Sequence, residues 1–269
     1  MFPLILLVLG LLRAAHQPQV ILVTIDGTMW QDIYGNNARL LVPNLYGDFV
    51  QQGIAVGKKS NMIATGPMHI SLPGYLEITR GHPSKDCQRN DCNPTIDQSV
   101  FRLFHESALF SSWKPIQRTI PSDANVYTDN SPEYRWDRDT IEVADQYLAT
   151  HTPEFLWVAL GDTDEWAHRN DRSHYLEALY EADKYIHSLV VRYPDSTIIV
   201  TCDHGRNNNF RDHGIDQASA RVWLMMRGPK VPHKGLVAAR SLSLSNIYYT
   251  ISDIQSGNHS SQSILSRIQ

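Results

Sequence analysis

Several things are scarce in this chain, and each scarcity excludes something. Charged residues make up 19% of the 269 positions, below the roughly 25% usual in globular domains. No block of Lys or Arg stands out and the formal net charge is −4, which argues against nucleic acid as a partner. There is no internal repeat, low-complexity segment or long linker. Gly-x-Ser-x-Gly is missing, so nothing points to a Ser-His-Asp elbow hydrolase. No apolar run reaches the ~20 residues that a spanning helix needs, so no stable membrane span is expected. The apolar, uncharged run at residues 2–12 has the length of a signal-peptide core, and Ala14 and Ala15 could mark cleavage. The expectation is a signal peptide over residues 1–15 and an exported protein, periplasmic or secreted. The alternative is a cytoplasmic protein with one more buried strand or helix. The absence of a positive charge before the run, and Arg13 beside the cleavage point, favour that alternative.

Cysteine is also scarce, at three residues. Cys87 and Cys92 lie in a polar stretch, Lys-Asp-Cys-Gln-Arg-Asn-Asp-Cys-Asn-Pro. In an exported chain a disulfide between them would staple that loop; otherwise they are two free surface thiols. No second Cys/His pair has the spacing of a zinc knuckle. Cys202 sits in an apolar run and reads as a buried core thiol.

What is present is 42% hydrophobic residues, enough for one globular domain over residues 16–269, and 12 histidines. Runs at 20–25, 155–160, 197–202 and 221–226 are apolar and β-branched without alternation, as in strands buried on both faces. Helical patterns lie between them, near 38–52, 96–108, 138–150, 172–192 and 245–255. This alternation predicts an α/β fold, a mostly parallel central sheet with helices on both faces. A small cap is expected near residues 105–140, where Trp113, Tyr127, Tyr134 and Trp136 offer stacking surfaces or ordinary packing.

Acids follow the strands directly. Asp26 ends the first, Asp162 and Asp164 follow the strand at 155–160, and Asp203 and His204 follow the strand at 197–202. In open α/β sheets the carboxyl ends of the strands form the binding edge. Carboxylates converging there repel unless something positive lies between them, and metal ions meet that need. Asp164 and His168 stand four residues apart, one turn of a helix, although such a pair is often only a solvent-exposed contact. Asp203-His204-Gly205 is a stronger signal, because Gly205 permits the sharp bend that lets neighbouring side chains reach one ion; the alternative is a polar turn. Asp212-His213-Gly214 repeats the pattern nine residues on.

Taken together these segments resemble the alkaline phosphatase superfamily, especially its type I phosphodiesterase/nucleotide pyrophosphatase branch and its compact phosphatase-like relatives, over about Val20 to Pro229. The family's motifs occur in order as Ile25-Asp26-Gly27, Ser71-Leu-Pro73 running to Thr79-Arg-Gly81, Asp164-x-x-x-His168, Asp203-His204-Gly205, and His213-Gly214 before Gly228-Pro229. The resemblance implies an alkaline phosphatase-like fold and two divalent ions, zinc by ligand type with manganese as the alternative. Asp164, His168 and His213 would hold one ion. Asp26, Asp203 and His204 would hold the other, with Ser71 also reaching it. Asp162 and Asp212 are the nearest rivals, and Asp162 is better suited to orienting a ligand. Ser71, at a helix N-terminus, would be the nucleophile, activated by an ion and passing through a phosphoserine; a plain N-cap role is compatible with that. Asn90 would donate to a phosphate oxygen, with Asn93 as rival and a turn residue as the bland alternative. His69 is either a substrate contact or a surface histidine.

The implied activity is hydrolysis of a small phosphate ester, as a phosphatase or phosphodiesterase. The alternatives are a sulfatase or phosphomutase of the same superfamily, or a non-catalytic metal-binding relative. The sulfatase maturation signal wants Arg at the fifth position from the nucleophile, where this chain has Tyr75. Superfamily mutases typically carry a large inserted domain. The Ser in place of the Thr usual in the phosphodiesterase branch leans toward monoesters.

Overall fold

Val20–Ile25 is wholly buried, and its one polar side chain, Thr24, accepts the indole N–H of Trp157 at 3.1 Å. Such a strand belongs in the middle of a sheet covered on both faces. The computed structural model, which describes residues 17–130 and 132–268, places it there. The signal-peptide expectation for residues 1–15 lies outside the described residues.

In chain order the strands are β1 (Val20–Ile25), β2 (Ile54–Val56), β3 (Met62–Ile63), β4 (Ser107–Ser111), β5 (Val126–Thr128), β6 (Phe155–Leu160), β7 (Thr197–Thr201), β8 (Arg221–Val222), β9 (Leu224–Arg227), β10 (Gly235–Leu236) and β11 (Leu242–Ser243). Eight form the main sheet in the order β10-β2-β9-β7-β1-β6-β4-β5, and β11-β3-β8 form a small one. In the main sheet only β9 runs against its neighbours β7 and β2; every other pairing is parallel. The fold is thus α/β with a mostly parallel sheet, flanked by helices. The longer helices are α1 (Ser71–Arg80), α2 (Asp137–Leu148), α3 (Asp162–His168), α4 (Arg172–Arg192) and α5 (Ser245–Ser256).

Three expected elements turn out differently. The helix expected at 38–52 is broken into short turns over 38–41, 43–45 and 46–50. Pro43 explains the first break, because it has no N–H to extend the ladder. The helix expected at 96–108 is a 3₁₀ turn at Val100–Leu103 followed by β4. Val100, Phe101 and Phe104 mimic a helical period, but Ser107–Ser111 is buried throughout and pairs with β6 on one side and β5 on the other. The strand expected at 221–226 divides at Trp223, whose indole donates to Thr28 Oγ1 at 2.9 Å. Within 105–140, β4 and β5 belong to the edge of the main sheet, and the stretch between β5 and α2 bridges back to Trp113 through Tyr134.

α1 is pinned at both ends. Gly74 lies so close to the Asp203 backbone carbonyl that a Cβ would overlap it. Glu77, 1% exposed, accepts from the N–H and hydroxyl of Thr65 (2.8 and 2.6 Å) and of Ser245 (3.2 and 2.8 Å). One buried carboxylate with four donors ties α1 to α5 and to the loop before it.

Candidate metal centre and nucleophile

Parallel register brings the acids together. Thr24 of β1 pairs with Thr201 of β7, and two residues past each come Asp26 and Asp203. On the other side Ile25 pairs with Leu160, after which Gly161 leads into α3 and Asp164. Gly27 then turns with φ +58, and a Cβ there would strike Asp164 and Arg206. That close approach is a glycine requirement the Asp-Gly pair satisfies.

Asp26, Asp203 and His204 are 3%, 0% and 0% exposed. The His204 Nε2 lies 3.2 Å from Asp26 Oδ1, 3.4 Å from Asp203 Oδ2 and 3.4 Å from Ser71 Oγ. Ser71 opens α1, so the positive end of the helix dipole lies at this point. The second group lies beside it. Asp164 Oδ2 is 3.1 Å from His168 Nε2, Asp164 Oδ1 is 3.6 Å from His213 Nε2, and the two imidazole Nε2 atoms are 3.0 Å apart. The His204 and His213 rings stack at 3.9 Å between centroids. Asp164 also comes within ligand distance of Asp26 and His204, so it stands between the two groups.

These residues fit divalent ions. Asp26 Oδ1 and Asp203 Oδ2 are buried without a hydrogen-bond donor, a costly arrangement unless a cation takes them up. The tautomers agree. His204 Nδ1 lies 2.8 Å from the Gly205 carbonyl and His213 Nδ1 lies 3.1 Å from the His69 carbonyl, so each ring donates outward and turns Nε2 inward as a lone pair. Tyr75 donates to Asp26 Oδ2 at 2.8 Å.

Without an ion the site's own charges distort one another. Burial and the nearby Asp26 carboxylate hold the Asp203 carboxyl well above the usual range. Burial alone would lower His204, but Asp203, Asp26 and Asp164 push it up to about 10. Burial and the His204 charge bring His213 down to about 3. Burial would raise Asp164, yet the His168 hydrogen bond and the Arg206 charge hold it well below its ordinary value.

Arg206 escaped the sequence reading. Its side chain is fully buried, forms an ion pair with Asp164, and donates to the carbonyls of Phe210 and Arg211 at 2.6 Å each. It therefore folds the loop that carries His213 back to Asp164. A cation directly after Asp-His-Gly, among so many acids, was the available signal. Gly205 works differently from the expectation. Its φ is not left-handed; the Arg221 and Ala218 carbonyls leave no room for a Cβ.

The rivals point elsewhere. Asp162 accepts from Tyr134 Oη at 2.7 Å and from Asp137 N at 3.0 Å. Asp212 is exposed and accepts from Asn209 at 2.7 Å. His69 is 8% exposed and not a surface residue. Asn90 accepts Leu72 N–H at 3.0 Å, next to Ser71, whereas Asn93 is exposed. Tyr127 stacks on Tyr147 at 4.3 Å at the sheet edge, and Trp136 stacks on Trp166 at 4.9 Å, lining a cleft of about 770 Å³ with residues of α2 and α4. Cys87 and Cys92 are joined as a disulfide, and Cys202 is a buried free thiol.

A mostly parallel α/β sheet whose carboxyl edge gathers three Asp, three His and a Ser at a helix N-terminus defines a metalloenzyme class. The family model described as "Metalloenzyme superfamily" matches residues 104–254, and the chain belongs to that family and, with it, to the alkaline phosphatase superfamily. A phosphopentomutase of Alkaliphilus oremlandii is 30% identical over 118 residues, which is 43% of this chain and only 30% of the mutase. The chain thus matches less than a third of that relative's length. A Bacteroides thetaiotaomicron putative sulfatase superposes with TM-score 0.69 at 12% identity, covering 91% of this chain and 72% of its own. Murine ectonucleotide pyrophosphatase/phosphodiesterase 5 superposes with TM-score 0.67 at 11% identity, covering 93% and 100%. At such identities these likenesses speak for the fold alone.

Proposed function

We propose that this chain is a two-metal phosphoric-ester hydrolase, a phosphatase or phosphodiesterase acting through a phosphoserine on Ser71. The observation that carries the reading is the meeting of Ser71 Oγ with His204, Asp26 and Asp203, one Asp164 side chain away from His168 and His213. Asp164, His168 and His213 would hold one ion; Asp26, Asp203 and His204 would hold the other, with Ser71 facing it. Zinc suits these donors, with manganese as the alternative, and the pair would supply Lewis acidity at the phosphoryl, attacking and leaving oxygens.

The residues themselves do the following. Ser71 Oγ attacks phosphorus in line, forming the Oγ–P bond as the bond to the leaving oxygen breaks, and the hydroxyl proton passes through solvent to the leaving oxygen. The positive end of the α1 dipole faces the transferred phosphoryl group, while Leu72 N–H is already given to Asn90. Asn90 donates its NH₂ to a phosphoryl oxygen. Water then cleaves the Oγ–P bond and regenerates the serine. The Cys87–Cys92 disulfide supports export to an oxidising compartment, and among the described residues no helix is long and apolar enough to cross a membrane. The cap is drawn from the expected 105–140 region, outside β4 and β5, of an otherwise single domain over residues 16–269.

The test is turnover of p-nitrophenyl phosphate against bis-p-nitrophenyl phosphate, with zinc or manganese and with chelator, for wild type and Ser71→Ala. Metal-dependent turnover lost in Ser71→Ala is expected, and the ratio of the two rates separates monoesterase from diesterase. Turnover that persists in Ser71→Ala sinks the nucleophile. A second reading, phosphoryl return to a sugar as in a mutase, is favoured by the similarity to phosphopentomutase. Interconversion of pentose 1- and 5-phosphates without release of phosphate would select it.

A further inference from the structure

We infer that Arg118 and the Cys87–Cys92 disulfide form a clamp that holds Asn90 in register with Ser71, so that Asn90's reach to the phosphoryl group depends on both. The inference rests on the hydrolase reading above. Asn90 lies in a stretch, residues 81–99, that contains neither helix nor strand. Such a stretch has no backbone ladder to fix one carboxamide.

Other contacts take the ladder's place. The Asn90 carboxamide oxygen accepts Leu72 N–H at 3.0 Å, and its backbone carbonyl accepts from Arg118 Nη1 at 2.6 Å. The disulfide closes the turn around it. Cys87 is fully buried and packs with Leu72 and Leu76 of α1, so the staple is seated on the nucleophile's own helix. At the far end of α1, Arg80 holds Asp86 at 3.1 Å and Asp97 at 3.3 Å, on either side of the staple. With its oxygen turned to Leu72, the Asn90 amide has its NH₂ left to donate. Arg118 grips only the backbone of Asn90, which makes it a positioning residue and not a catalytic one.

The test is a set of double-mutant cycles on the metal-loaded protein, read as kcat and KM for p-nitrophenyl phosphate and as calorimetric affinity for inorganic phosphate. The variants are Asn90→Ala, Arg118→Met, Arg118→Lys and the pair Cys87→Ser/Cys92→Ser, each of the last three also combined with Asn90→Ala. Arg118→Met and the cysteine pair are expected to weaken phosphate binding and raise KM about tenfold, the loss of one charge-assisted hydrogen bond. In the Asn90→Ala background neither should cost more, and Arg118→Lys should restore most of the loss. Dithiothreitol, which opens the S–S bond to two thiols as it closes to its own cyclic disulfide, should reproduce the cysteine pair in wild type and do nothing to Asn90→Ala. Tm and metal content are followed throughout to exclude unfolding.

Losses that persist undiminished in the Asn90→Ala background overturn the clamp, as does an Arg118→Met variant indistinguishable from wild type. A metal-loaded protein that does not bind phosphate overturns it too. If phosphate binding shows the expected coupling but no ester is turned over, the clamp stands and the hydrolase reading falls.

Discussion

Arg206 shows how a single side chain can complete a site that the sequence only outlines. It neutralises part of Asp164 and at the same time holds two carbonyls of the loop leading to His213. Truncating it should therefore act on metal binding first. Arg206→Met is expected to weaken binding at the Asp164–His168–His213 group by about 10- to 100-fold, as outer-sphere losses typically do. Arg206→Lys should not recover it, because one ammonium cannot replace a fork of three donor nitrogens. Titration calorimetry with zinc checks both. Asp137 carries a pH effect away from the metals. Burial and the Asp162 charge push its carboxyl up to about 8, above its value in an unfolded chain. The folded state then binds the extra proton between about pH 4 and 8, so stability is greatest below that window and falls as pH rises through it, by at most about 1.4 kcal/mol per pH unit. Asp137→Asn should flatten this slope in denaturant titrations of the metal-loaded protein at pH 5 and pH 8.

Among the elements, α1 matters most, because it carries Ser71 and is fixed by contacts remote from the chemistry. Glu77→Gln turns one acceptor oxygen into a donor facing donors. It should cost about 2–3 kcal/mol in urea unfolding, the price of an unsatisfied buried group. Gly74→Ala would drive α1 off the end of β7; it should lower kcat while the Asp164 group still binds metal. These contacts also mark where sequence reasoning stopped. Asp26 and Asp203 were legible because each follows a strand with no polar alternation, and such strands have only one open end. The helix at 172–192 was legible from its period. Tyr75, Glu77 and Arg206 were not, because their partners lie 49, 168 and 42 residues away and leave no local pattern. β4 was misread because five buried residues carry no period of their own.

At the scale of the whole molecule, three carboxylates face one another at the sheet edge, and their repulsion stands against folding until cations occupy the edge. Chelation should lower Tm by on the order of 10 °C, from about 4 kcal/mol per ion at a thousandfold saturation. Differential scanning calorimetry with and without chelator measures it; an unchanged Tm would mean that the ions add no stability.

The position of β1 has a consequence in time. Its two neighbours are residues 155–160 and 197–201, so the first described strand has no partner until the sixth exists and is enclosed on both sides only when the seventh does. Pairings of such long sequence separation form slowly and leave a growing chain open during synthesis. The sheet edge that gathers Asp26, Asp164 and Asp203 is therefore among the last parts of the fold to close, because each of those acids waits on a strand from a different part of the chain.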